Sequence, residues 1–179
     1  WPRATGAKVV EGLKAGWAKV VCFDVVFAEP DENSSLKTLA SLGSEMKRLG
    51  IHDRQLSSLI ARKQRGADTD AALAQAIARA KNVTLGYFFH IQKRDAEHMT
   101  ERQINEGEKY IRNSRYATVK MTPESNDSPI VPAYDAVTNL KAISAAGRNS
   151  GYFNAFPDSD GPIRWSPLVL NFRDGYYTS

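Results

Sequence analysis

The chain has a single cysteine among 179 residues, Cys22, so no disulfide can close within it. No apolar run reaches the ~18 residues of a bilayer-spanning helix. There is no GxGxxG and no GxxxxGK[ST], so the glycines make no phosphate-cradling loop. The three histidines, His52, His90 and His98, sit in no HExxH, nucleophile-elbow or Cys-His context. No signal-peptide pattern opens the chain. Together these absences exclude a disulfide scaffold, a helical membrane span and the common nucleotide and hydrolase motifs. The first residue is Trp1 rather than Met, which predicts a piece processed or excised from something longer.

What is present is a globular mixture, 42% hydrophobic and 25% charged. Such a length and composition suit one domain with its own core. The net charge of +4 is uneven: residues 45–115 carry 14 basic and 9 acidic side chains, and the rest is close to neutral. The basic residues alternate with acids and polar groups, with no interleaved aromatic platform. That pattern predicts solvated helical faces rather than a nucleic-acid surface.

Hydrophobic spacing predicts a helix over 4–15, with Val9, Val10, Leu13 and Trp17 at helical intervals and Gly16 as its stop. KVVCFDVVF, residues 19–27, is short, β-branched and without alternation. It predicts a strand covered on both faces, as in a parallel sheet, with Cys22 buried in it. A helix followed by such a strand is half of a βαβ unit whose first strand would lie before Trp1. A helix capped by Ser34 or Ser35 follows, then one capped by Asp53, then one introduced by Asp68, Thr69 and Asp70. VTLGYFFH, residues 83–90, predicts a second strand, and residues 95–113 a polar helix. Residues 116–121 predict a short strand and 122–132 a proline-bearing loop. Asp135 is expected to cap a helix ending at Gly147. GYFNAF and IRWSPLVLNF, around the turn PDSDGP, predict a hairpin, which Pro162 and Pro167 would push to an edge. The fold class expected is α/β: one domain over 1–179, a mixed, mostly parallel sheet flanked by helices, and an antiparallel hairpin near the C-terminus.

Two acidic constellations stand out. Asp24 sits on an otherwise apolar strand and is followed by Glu29, Asp31 and Glu32. A carboxylate in such a place must be paired or hydrogen-bonded, because an isolated buried charge is costly. Ligands of open α/β sheets bind beyond the carboxyl ends of strands, where these acids fall. Asp24, Glu29 and Asp31 could in principle hold Mg²⁺ for a hydrolase, but no nucleophile or base in a recognisable setting accompanies them, and no metal or cofactor is expected. The second constellation is DSDG, residues 158–161. It opens like an EF-hand loop, yet the twelfth position is Val169 where a bidentate Glu is needed. Ordinary turn chemistry explains it, with Arg164 able to pair with Asp158 or Asp160.

The order of segments is similar to that of a type-two CHASE domain: WPR, a helix, FDVVF with its acidic follow-on, the Asp70 helix, VTLGYFF, and the N-x-x-P-D-x-D-G-x-x-R stretch from Asn154 to Arg164. The resemblance covers nearly the whole chain. It implies a non-enzymatic, extracytoplasmic input domain of a membrane-anchored receptor with a cyclase, histidine kinase or Ser/Thr kinase output. It also implies a strand preceding Trp1, and variable insertions over 36–66 and 95–129. The partner expected is a small-molecule or protein signal, with a homodimer possible and no nucleic acid. Asp24, Asp158, Asp160 and Arg164 are the candidate ligand contacts, because they are the polar residues inside the family-like segments. The competing readings are a ligand-free structural or dimerisation module and the metal-dependent hydrolase.

Overall fold

The computed structural model describes residues 2–32, 34–120, 122 and 130–179. Its fold is mixed α/β, with two sheets and seven α-helices among the described residues. In chain order these are α1 (Arg3–Ala15), β1 (Val21–Phe23), α2 (Ser34–Arg48), α3 (Arg54–Ala67), α4 (Thr69–Ala80), β2 (Val83–His90), α5 (Lys93–Ala96), α6 (Glu101–Ile111), β3 (Pro132–Ala133), β4 (Asp135–Val137), α7 (Lys141–Ala146), β5 (Asn149–Tyr152), β6 (Val169–Phe172) and β7 (Gly175–Thr178).

The first sheet is built around β2. β1 pairs with it in parallel, Val21 opposite Val83, and β5 also in parallel, Thr84 opposite Asn149. β4 runs antiparallel to its far end, His90 opposite Asp135. β1 and β5 meet the same residues of β2 and so occupy its two edges. Backbone groups of successive residues point to alternate edges, which sets β4 on the β1 side: Tyr134 N donates to His90 O at 2.9 Å, whereas Phe153 N donates to Tyr87 O at 3.0 Å. The second sheet has β6 between β3 and β7, parallel to β3 and antiparallel to β7.

Burial follows the pleat. Val83, Leu85, Tyr87 and Phe89 are all buried, two residues apart and hence on one face of β2. The first two join Val10, Leu73, Ile77 and Ile143 from α1, α4 and α7. The other two join Ile111, Leu170, Phe172 and Tyr177 in a second, aromatic-rich cluster. Leu73 has no exposed surface, and its loss to Ala would cost about 2–5 kcal/mol. Two asparagines tie the strands where ladders end. Asn139 Oδ1 accepts from Phe27 N and its Nδ2 donates to Gly86 O, both at 2.8 Å. Asn154 Oδ1 accepts from Phe89 N and its Nδ2 donates to Phe89 O, also at 2.8 Å, so one side chain continues the ladder beyond β5. Gly151 on β5 lies under the end of β7: a Cβ there would fall 2.7 Å from the carbonyl carbon of Ser179.

Several expectations are corrected. Only Val21–Phe23 of the 19–27 run form a strand, and helices cover one of its faces; Val21 is buried while Cys22, on the other side, is exposed. Asp135 opens β4 instead of capping a helix, and α7 begins six residues later, after Leu140. The 95–113 stretch is split by Thr100. Its hydroxyl accepts from Gln103 N, and Gln103 Oε1 accepts from Thr100 N, a reciprocal cap that starts α6 afresh. Residues 116–120 form no strand, although Arg115 bridges Tyr177; Met121 lies outside the described residues. The C-terminal hairpin exists, but between β6 and β7. GYF instead runs parallel to β2, and Pro162 and Pro167 lie in the loop between β5 and β6.

Candidate functional site

The acidic residues after β1 are drawn into the fold. Arg3 is the hub: its Nε donates to Asp70 Oδ1 at 3.1 Å, its Nη2 donates to Glu29 O at 2.9 Å, and its guanidinium lies 4.6 Å from the centre of the Phe27 ring. Asp31 accepts from Arg3 N at 3.2 Å and from the Thr69 hydroxyl at 2.7 Å, while its own N–H donates to Asp70 Oδ2 at 2.9 Å. The network joins the N-termini of α1 and α4, where partial positive charge favours carboxylates. The Thr69 hydrogen bond holds the Asp31 carboxyl below its ordinary range; desolvation opposes it, and the Arg3 N–H and charge add smaller downward effects. These groups satisfy one another, which makes the network a clasp between α1, α4 and the loop after β1. The described residues contain no cluster of three or more His, Cys, Asp or Glu side chains arranged to hold a metal ion.

Of the four predicted contacts, three come together. In the loop between β5 and β6, Gly161 takes a φ of 102°, a region few other residues tolerate. The turn is closed by Gly161 N donating to Asp158 O at 2.8 Å and Asp158 N to Pro162 O at 2.9 Å. It brings Arg164 Nη1 to Asp158 Oδ2 at 2.8 Å and to Asp160 Oδ1 at 2.7 Å, with Nη2 on Asp160 Oδ2 at 2.7 Å. The bidentate pair, and Asp158 after it, raise the Arg164 pKa; the same bonds lower that of Asp160. All three side chains reach solvent, so the pairs add little stability. Three bonds leave part of the five-donor guanidinium fork open. Trp165 stacks on Phe156 at 5.3 Å between ring centres and anchors the loop to the aromatic cluster. Asp24 follows β1 directly and is exposed; no hydrogen bond or ion pair among the described residues links it to the other three.

The sequence reading missed Arg3, Asn139 and Asn154 as tying residues. For Asn154 a signal existed, its place in the N-x-x-P-D-x-D-G-x-x-R stretch. For Arg3 it was the WPR triplet.

The arrangement defines a mixed α/β domain with two polar clusters, one joining the N-termini of α1 and α4 to the loop after β1 and one in the loop after β5. The family model of the CHASE2 domain matches residues 1–179, the whole chain, and the protein belongs to the CHASE2 domain family. CHASE2 domains are extracellular sensory domains. No curated protein and no solved structure matches the chain.

Proposed function

We propose that this chain is the ligand-sensing input domain of a membrane-anchored receptor, held outside the cytoplasm and coupled to a cyclase, histidine kinase or Ser/Thr kinase output. The observation that carries the reading is the family match across all 179 residues. The 153–168 loop and the end of β1 supply the contacts: Asp158 and Asp160 accept donors, the open part of the Arg164 fork takes an anionic group, and Asp24 extends the acidic edge. Signalling then rests on the signal binding one arrangement of the receptor better than another.

The test is made in the intact receptor, with its output activity titrated against candidate signals. The variants D24N and R164A should each shift the half-maximal signal roughly tenfold or more, the effect of losing a charge-assisted hydrogen bond worth about 1.5–3 kcal/mol. An unchanged response overturns the site. Alkaline phosphatase inserted at the exposed Gly161 turn should be active, because it folds only outside the cytoplasm; an inactive fusion overturns the placement. Dimerisation is the second reading, favoured by Val9 and Leu13, exposed one turn apart on α1, and by Trp17 just past its end, which is 91% exposed. Sedimentation of the wild type and W17A separates it: equal, monomeric behaviour of both removes the dimer.

A further inference from the structure

We infer that a cavity between β4 and α6, separate from the acidic loop, binds a small organic cation, with Asp135 as its anchor. Asp135 is only 2% exposed, and its Oδ1 is buried without a hydrogen-bond partner. An unpaired buried carboxylate is costly enough that folds supply a partner or neutralise it. Here the fold leaves Oδ1 without one, and Asp135 is among the residues that line a cavity of about 300 Å³. His90 and His98, Met99, Glu106 and Tyr110 are among the side chains that line it, and no lysine or arginine does. Glu106 adds a second carboxylate, with Tyr110 Oη donating to its Oε1 at 2.8 Å. An ammonium group therefore meets two carboxylates and no lysine or arginine, while the Tyr110 ring and the Met99 thioether suit the apolar stem of an amine. The volume is at the lower end for small-molecule sites, which restricts the ligand to a few heavy atoms. A ligand that also carries a carboxylate is disfavoured, because that group would share the cavity with Asp135 and Glu106 and meet no lysine or arginine.

The probes are 1,4-diaminobutane and 4-aminobutanoate, which share an amine and a four-carbon chain and differ in the second charge. Calorimetric titration of the 179-residue chain should show the diamine binding and the amino acid binding at least tenfold more weakly. The diamine should also raise the melting temperature, as a ligand of the folded state must. D135N keeps the side-chain shape and should abolish binding. T138K, which brings an ammonium to the same lining, should raise the melting temperature and block the diamine even if D135N fails to fold. Absence of diamine binding to the folded wild type overturns the inference. So does equal binding of the two probes, or a folded D135N that binds as the wild type does. None of these results depends on the receptor's output, so the cavity and the loop site stand or fall separately.

Discussion

Asn139 is the side chain on which the packing of the first sheet most visibly turns. It is 5% exposed and satisfies Phe27 N and Gly86 O, two backbone groups that no strand reaches. Replacing it with Ala leaves both buried and unpaired. At about 1–3 kcal/mol for each group, N139A should lower stability by roughly 2–6 kcal/mol in urea unfolding, with little change in the denaturant slope. Asp31 carries the acid sensitivity. Its folded-state pKa is depressed, so its contribution is full above the unfolded carboxylate value and is lost as pH falls through the folded one. T69A removes the largest cause of that depression. The difference in melting temperature between wild type and T69A should hold steady above about pH 5 and shrink as the pH falls below the ordinary carboxylate range. A difference independent of pH would place the role of Thr69 in the helix start rather than in the carboxylate.

Among the elements, α2 and α3 stand apart. Each buries one apolar residue, Met46 and Ile60, and Gly43 of α2 faces Ile60 of α3, so they pack chiefly as a pair. Leu42, Leu49, Leu56 and Leu59 remain exposed. Replacing residues 34–67 with a short Gly/Ser linker should leave the melting temperature within about 5 °C of wild type; a larger drop would show the pair to be part of the core. The long elements were legible from sequence for the reason that they are long. α4 and β2 have unbroken periods, and their caps and ends fall where Asp68 and the flanking polar residues place them. The short ones were not. β1 and β4 are three residues each, too brief for a period, and Asp135 before an apolar stretch reads as a cap unless its register opposite His90 is known. Of the candidate contacts, Asp158, Asp160 and Arg164 were legible because four to six residues across a turn bring them together locally. The Arg3 clasp spans 26 to 67 residues, so no spacing in the sequence pairs its members, although the WPR triplet marks Arg3 itself.

At the scale of the molecule, the outer edge of β1 carries no strand among the described residues. We propose that a further strand pairs at that edge, since successive crossovers of one hand with helices on one face add strands in one direction. A chain extended upstream should melt higher than the 179-residue form and protect the Cys22 amide from exchange, since Val21 N already donates toward β2, to Asn82 O; unchanged protection would remove that strand. The two sheets themselves meet across a spacing set by Gly151. A methyl group on that residue would stand 2.7 Å from the Ser179 carbonyl carbon, so β5 and the end of β7 sit closer than any side chain permits. β5 also leads straight into the loop that bears Arg164. The tolerance between the sheets is therefore narrower than one carbon atom, and a change in the loop that shifts β5 has no slack to take up before it reaches the last residues of the chain.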